Sequence, residues 1–464
     1  MTGVTDTTTI CIIGAGPAGL AALKTLLDSS QCQQGEWIPT VFEGRSGLGG
    51  VWNPALPDIN PPMTPLYDSM ITNIPHPVMA YDSFPFPPST PIFPPASTVL
   101  TYLNAYAACF NLLPHIRFST TVVDVRWDKT INRWSVEVST GERLFFDRVI
   151  VANGHFRVPR YPEIPGVETW LSSGHAMHSA WYRSPSEIGS AKSVLVVGAG
   201  PSGSDISAEL RGRVKSVLHS VPGSTNQEGR SFSVKPRVVR LGPHGTVEFA
   251  DGSMEYDVDL CIFATGYQFA FPFLSEAQLP TCVSPDSLEL RRSTYHVYPL
   301  AMHIFPVSSE FPSTSLAFMG LLLRGTPLSL FEAQAHALVK VFQTPDSLDV
   351  ARETEDILGR RRHLSTQFDV TGDPSAVARE WHRYTEHESF VYRDRLYEFA
   401  GWDRRVEAWE KEMWERKVEL RDKWRKLVAS GQSESWLDGV GISGRTEWVE
   451  LLQRVLSMTD VAMR

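Results

Sequence analysis

TICIIGAGPAGLAALKTLL (Thr9–Leu27) runs from a short apolar stretch through three glycines spaced GxGxxG into an Ala/Leu-rich stretch. That order predicts a strand, a tight turn and a helix. Gly14 permits the turn, and Gly16 lets the backbone approach a pyrophosphate. Gly19 lets helix and strand pack closely, with Pro17 and Ala18 opening the helix whose N-terminus faces the negative charge. VLVVGAGPSGSDISAEL (Val194–Leu210) repeats the pattern with Gly198, Gly200, Pro201, Ser202 and Gly203. The offset between the first glycines is 184 residues, far beyond a solenoid period, so a domain type is repeated. Two dinucleotide sites are expected.

Around the first turn, the next strand is read as Ile38–Glu43, ending in a carboxylate placed to accept hydrogen bonds from ribose hydroxyls. Its spacing is long, which the polar insertion near Gln31–Gly35 explains; a solvated strand-end acid is the plainer alternative. GLGGVW (Gly47–Trp52) follows. Gly49, Gly50, Val51 and Trp52 there suit a flat ring lying against backbone, with an ordinary loop as the competing reading. After the second turn, the strand Lys215–Ser220 ends in His219 and Ser220 with no acid. A carboxylate at that place would repel a 2′-phosphate, so NADPH is favoured over NADH. Arg211, Arg213, Lys215 and Arg230 are all candidates for the phosphate.

At 464 residues, with 42% hydrophobic and 20% charged residues, the chain is expected to form two or three soluble domains. A net charge of -9 without a basic block argues against a nucleic-acid partner. Cys11, Cys32, Cys109, Cys261 and Cys282 are scattered and form no CxxC pair, so neither a metal site nor a disulfide framework is expected. The polar MTGVTDTTT start is not a secretory signal, and SLAFMGLLL near Leu316–Leu323 is too short to span a bilayer. A cytoplasmic protein without integral membrane association is the resulting expectation.

Further strands are read at Thr121–Asp128, Arg133–Ser139, Asp147–Asn153 and Asp259–Ala264, and a helix at Ala96–Phe110. The Pro/aromatic-rich stretch Pro54–Pro95 is too long for a simple connection, which signals a functional loop. After about residue 345 the sequence turns charged and helical. Val406, Trp409, Met413, Leu420 and Trp424 form one apolar helix stripe there, read as core packing sooner than as a cofactor contact. The stripe also offers a homodimer contact or a cover for the active site.

With both turns placed, residues 8–340 resemble the class B flavin-containing monooxygenases. SSGHAMHSAWYR carries Gly174, His178 and Tyr182 in the places of the family signature FxGxxxHxxxY/F, although Ser172 replaces its first Phe. FATGY (Phe263–Tyr267) and the FAFPFL that follows match the motif after the NADPH domain. ITNIPHPVMAYDSFPFP (Ile71–Pro87) is similar to the segment that sets an Asn beside the flavin, and LAFMGLLLRGTPLSLFEAQA (Leu316–Ala335) to the return into the FAD domain. The resemblance implies FAD at the first turn and NADPH at the second. It also implies a C4a-hydroperoxyflavin that passes one oxygen atom from O2 to an amine nitrogen or a sulfur of a small molecule. It places Asn73 as the catalytic hydrogen bonder near flavin and peroxide, where residues alone would suggest a turn. Cofactor contacts are implied at Thr72, Val125, Thr265, Gly266, Tyr267 and Gln334, and at His178 and Tyr182. His178 is a domain-linker residue in that reading; as a lone histidine it would be a structural hydrogen bonder, and Thr265 and Gly266 would be strand-end geometry.

A Baeyer–Villiger monooxygenase is the nearest rival, but its signature ends in Trp where this chain has Tyr182, with Trp181 adjacent. An ornithine or lysine N-hydroxylase and a catalytically silent flavin- or NADP-binding regulator are further alternatives. A disulfide reductase is excluded by the missing cysteine pair. The expected architecture is α/β: residues 1–185 and 273–345 form an FAD domain, 186–272 an inserted NADPH domain, both Rossmann-like, and 346–464 a helical C-terminal extension.

Overall fold

The computed structural model describes residues 7–229, 231–281, 288–368, 373 and 375–458. Arg230 and Cys282, named above, lie outside them. The chain divides into two compact units. The first comprises Met1–Asn53, Ile71–Gly154 and Ala270–Arg464, and the second Pro54–Met70 and His155–Phe269.

Each unit is built on a five-stranded parallel sheet. In the first the order is Leu316–Phe318, Arg148–Val151, Thr8–Ile13, Trp37–Phe42 and Ile116–Arg117. In the second it is Phe232–Lys235, Ser216–Ser220, Ser193–Val197, Leu260–Phe263 and Ala176–His178. The glycine-turn strand is the middle one both times. Ile10, Cys11 and Ile12 are wholly buried, as are Val194, Leu195 and Val196, the continuous apolar run that a strand covered on both faces requires. A three-stranded antiparallel meander precedes one core strand in each unit: Val122–Asp128, Arg133–Val138 and Arg143–Phe146 lead into Arg148–Val151 in the first, and Val238–Leu241, Val247–Phe249 and Met254–Glu255 into Leu260–Phe263 in the second. The α/β class with two Rossmann-like domains is what the chain adopts.

The units divide at other places than the expected 186–272 insertion. His155–Ser184 belongs to the second unit because Ala176–His178 is a strand of its sheet. Pro54–Met70 joins it too, with Tyr67 entering a core of Tyr182, Val194, Ile206 and Leu260. The proline-rich stretch is thus shared between the units, and its remainder contains the helix His76–Met79. The polar insertion before the second strand holds one helical turn, Ser30–Gln33.

Residues 346–464 form the expected helical C-terminal region, and it is packed into the first unit. Their apolar side chains share one core with the first unit's sheet: Met413, Leu420, Trp424 and Leu452 belong with Ile10, Leu20 and Leu338. The apolar stripe is two helices, Ala408–Glu415 and Lys417–Ala429, separated at Arg416, with Val406 ahead of both. Val406, Met413, Leu420 and Trp424 are buried within their own unit, and Trp409 packs against the same core. That burial withdraws the stripe as a contact for a second copy.

Candidate dinucleotide-binding turns and their surroundings

The two turns are the same backbone construction. The Gly14 amide donates to the Phe42 carbonyl (2.9 Å) and the Gly198 amide to the Ser220 carbonyl (3.0 Å). Both glycines have positive φ, +103° and +133°, a region that L side chains rarely adopt. A Cβ on Gly14 would lie 2.7 Å from the Ala152 carbonyl oxygen, and one on Gly198 2.3 Å from that of Ala264. On Gly19 and Gly203 it would lie 1.9 and 2.2 Å from the carbonyl oxygens of Gly14 and Gly198. The helices Pro17–Leu27 and Pro201–Leu210 then start on proline, which lacks the amide a first helical turn cannot use internally. Their other first-turn amides are the groups that suit an anion.

The middle glycines differ. Gly16 touches the GLGGVW loop: a Cβ on Gly50 would lie 2.9 Å from Gly16 Cα, and the Gly49 amide donates to the Ala15 carbonyl (3.0 Å). Gly49 and Gly50 both have positive φ, and Gly50–Trp52 is a single 3-10 turn. Gly200 has nothing within 4 Å of where a Cβ would stand. Pro201 and Ser202 border that open side as the first residues of their helix.

Glu43, buried, anchors the first turn. Its two carboxylate oxygens accept the Ala15 amide (2.8 Å) and the Arg45 amide (2.9 Å). Arg45 extends the arrangement by donating Nη1 to the carbonyl oxygens of Asn53 (2.6 Å) and Gly50 (3.3 Å). Sequence reading passed over Arg45; its only signal was its place between the acid and the paired glycines. Tyr81 was also missed, and its hydroxyl donates to the Pro17 carbonyl at 2.6 Å.

Thr72 and Asn73 share the first unit with this turn. The Thr72 amide is spent on the Pro94 carbonyl (3.0 Å), but its hydroxyl is buried without a partner. Asn73 is exposed beside it. Gln334 is fully buried in the helix Pro327–Gln343; its Oε1 accepts the Gly320 amide (3.1 Å) and its Nε2 donates to the Tyr392 hydroxyl (3.1 Å). A Cβ on Gly320 would be 3.5 Å from Ala18 Cβ, so Gln334 braces backbone that lies against the turn helix. Val125 is wholly buried, with its amide donating to the Phe273 carbonyl (2.8 Å).

In the second unit, the signature residues hold each other. His178 pairs in register with Phe263, and its ring meets Tyr267 and Tyr161 edge-on at 5.3 and 5.4 Å. Its Nδ1 accepts the Ala180 amide (3.1 Å), which leaves the ring proton on Nε2. Burial, partly offset by the Gly266 backbone, pushes it down to about 4. It is a neutral ring at physiological pH. The Tyr182 hydroxyl donates to Glu209 (2.8 Å), and its ring is fully buried. Thr265 donates to the Arg160 carbonyl (2.5 Å), and the Gly266 carbonyl accepts the Arg160 amide (2.9 Å). Burial raises the Tyr267 hydroxyl to about 12. His219 Nε2 lies 2.8 Å from the Gly198 carbonyl oxygen, and Ser220 donates to the Pro236 carbonyl (2.8 Å). Both therefore shape the strand end from within. Arg211, exposed, stacks its guanidinium 3.4 Å from the Phe232 ring centroid and bears electrostatically on His219. Arg213 and Lys215 are exposed without a comparable packing contact.

Two fingerprint turns in parallel sheets, joined to a flavin-type glycine loop, are matched by a family model described as FMO-like, flavin-binding monooxygenase-like, over residues 7–232 and 228–387. The chain belongs to the flavin-containing monooxygenase family. It is accordingly an oxidoreductase of the monooxygenase type. Flavin-containing monooxygenase FMO GS-OX-like 7 of Arabidopsis thaliana is 30% identical over 439 residues, covering 87% of this chain and 86% of that protein. The thiol-specific monooxygenase of Saccharomyces cerevisiae is 30% identical over 349 residues, covering 73% and 78%. Among solved structures, the S-allyl-L-cysteine S-oxygenase of Allium sativum matches with TM-score 0.72 and 27% identity, covering 90% of this chain and 93% of that one. Cyclohexanone monooxygenase, at 14% identity and TM-score 0.55, shares the fold. Among the described residues no helix is long and apolar enough to cross a membrane, and no group of acidic, His or Cys side chains could hold a metal.

Proposed function

We propose that this flavin-containing monooxygenase uses FAD and NADPH to place one oxygen atom of O2 on the sulfur of a small thiol or thioether. The observation that carries the cofactor reading is the pair of turns in which a Cβ on the first or third glycine, Gly14, Gly19, Gly198 or Gly203, would collide with backbone, while the middle glycines Gly16 and Gly200 stay clear. FAD fits the first turn: Gly14 and Gly16 would admit a pyrophosphate, Glu43, beside its two backbone amides, would accept from the ribose, and Gly49–Trp52 would meet the ring system with backbone. The buried, unpartnered Thr72 hydroxyl is a polar atom that a ring edge would satisfy. NADPH fits the second: the open side of Gly200 takes the pyrophosphate, and Arg211, held flat on Phe232 beside an acid-free strand end, takes the 2′-phosphate.

Bound FAD, reduced by NADPH, supplies the oxygen-activating chemistry. The protein's part is to orient and to exclude water. Asn73, exposed beside Thr72, presents an amide and stabilises the oxygen to be transferred. His178, neutral and locked by Ala180, positions the Tyr267 end of the second unit and moves no proton. Sulfur is favoured over nitrogen because the thiol-specific enzyme and the S-oxygenase are similar over most of their lengths.

Incubation with 18O2, NADPH and S-allyl-L-cysteine tests this. Sulfoxide carrying one 18O, with NADH at least about tenfold less effective as donor, is the expected result. NADPH consumed with all oxygen recovered as peroxide would refute oxygen transfer to this class. No NADPH consumption by FAD-loaded protein would instead support a silent regulator.

A further inference from the structure

A cavity of about 410 Å³ opens in the first unit between the helices Val350–Gln367 and Glu386–Ala400, and no glycine of the turns lines it. Its walls are aliphatic (Leu300, Ile357, Val391) and aromatic (Trp381, Tyr384, Tyr392), and its volume is that of a small-molecule site.

The charges at its rim are already paired. Arg360 gives Nη1 to Glu388 (3.0 Å) and its other nitrogens to the carbonyl oxygens of Trp381 (3.2 Å), Glu380 (3.3 Å) and Arg383 (3.2 Å). Arg395 is bound to Glu353 and to Asp356 (2.9 Å). A charged ligand of either sign would meet a cation and its acid together, and would gain only by breaking a pair. An uncharged one meets no such opposition.

Two ring nitrogens of its wall remain for recognition: Trp381 Nε1, buried without a partner among the described residues, and a nitrogen of His303. The Val297 amide donates to His382 Nε2 (3.2 Å), so the His382 proton sits on Nδ1 and is donated to His303 Nδ1 at 3.0 Å. The His303 proton is then on Nε2, for which no acceptor is found among the described residues. His303 lines the cavity with its ring 5.2 Å from Tyr384 and 5.8 Å from Trp381. Burial pushes this ring down to about 3, so it is a neutral donor at any working pH.

We propose that this cavity binds an uncharged aromatic molecule of one or two rings whose hydrogen-bond acceptor takes the His303 Nε2–H. The rings stack among Trp381, Tyr384 and Tyr392, with the acceptor at their centre. The proposal stands apart from the oxygenation reading and does not depend on it.

The test uses full-length, FAD-loaded protein without NADPH, and methyl 2-naphthoate as probe, compared with naphthalene and the 2-naphthoate anion. The ester is expected to bind saturably, with naphthalene and the anion each about tenfold weaker or more. Val391→Trp, at a half-exposed wall position, is expected to weaken the ester by about tenfold, with FAD content and melting temperature as controls for folding. Independently, a diazirine derivative of the ester is expected to label wild-type protein within residues 300–303, 356–360 or 381–395. Equal binding of ester and anion, unchanged binding in a folded Val391→Trp, or label confined to other peptides would each overturn the proposal.

Discussion

One methyl group separates glycine from alanine, and at these turns its effect differs from position to position. A Cβ on Gly19 would sit 1.9 Å from a carbonyl oxygen of its own turn. Nothing flexible can yield there, so Gly19→Ala is expected to purify nearly colourless. Gly14→Ala should do the same, because φ of +103° disfavours any side chain in addition to the clash with Ala152. Gly200→Ala is the contrasting case, with ordinary φ and open space. It is expected to fold, keep FAD and melt normally, while KM for NADPH rises about tenfold because the methyl occupies the pyrophosphate approach. An unchanged KM would remove the second turn from the nicotinamide site. At Asn73, shortening to Ser should leave FAD binding and NADPH oxidation in place but divert most turnover to hydrogen peroxide, read as the ratio of peroxide to NADPH. Unaltered coupling would end the role given to Asn73.

Helices and strands show which parts of this fold a sequence can disclose. The core strands that were read fell within a residue or two because buried parallel strands must be apolar throughout, and Gly, Asn or a charged residue marks each end. The two- to four-residue strands Ile116–Arg117, Ala176–His178, Phe232–Lys235 and Leu316–Phe318 are too short to show a pattern and went unread. The stripe from Val406 to Trp424 identified buried residues well but continuity badly. Spacings of 3, 4 and 7 survive a break at Arg416, where ion pairs with Glu412 and Glu419 hold a non-helical residue between two helices. Tertiary pairing was illegible too: nothing near residue 393 announces that the Arg393 guanidinium reaches Glu410 from the preceding helix, with both side chains almost fully buried. Arg393 also donates to Thr326 (2.7 Å) and Ser329 (2.6 Å) at the start of the helix Pro327–Gln343. Arg393→Met leaves Glu410 charged and unpaired, and is expected to cost about 3–5 kcal/mol in urea unfolding. Loss within 1 kcal/mol or so of wild type would mean that water or a neighbour compensates the acid.

Over the whole molecule, titration reports how much of the chain is committed to burial. The two turns were readable from glycines alone, whereas domain membership of Pro54–Met70 and of the C-terminal helices was not, because apolar residues declare that they are buried without declaring in which core. Buried titratable groups carry the same ambiguity in sequence and resolve in the structure. His76, His296, His303 and His336 are pushed down to about 3 and His178 to about 4, with burial the first cause in each. In the unfolded chain each returns to about 6.5. Between pH 6.5 and about 4 the unfolded state then binds more protons than the folded state, so stability rises with pH across that window and falls on acidification. Asp82, Glu332 and Glu353 oppose this, since burial raises them and the folded state keeps protons that the unfolded state has released. Their window begins at the ordinary carboxyl range, near 4, whereas the histidines act from 6.5 downward. These five rings, with His219 lowered by burial as a sixth, against three carboxyls leave a net uptake of about two to six protons on unfolding at pH 5. Unfolding free energies at saturating FAD, measured in urea from pH 7 to pH 5, should therefore decline with a steepening slope. A stability that stays level across that interval would mean that these rings are protonated in the folded protein, and that their burial is relieved by water.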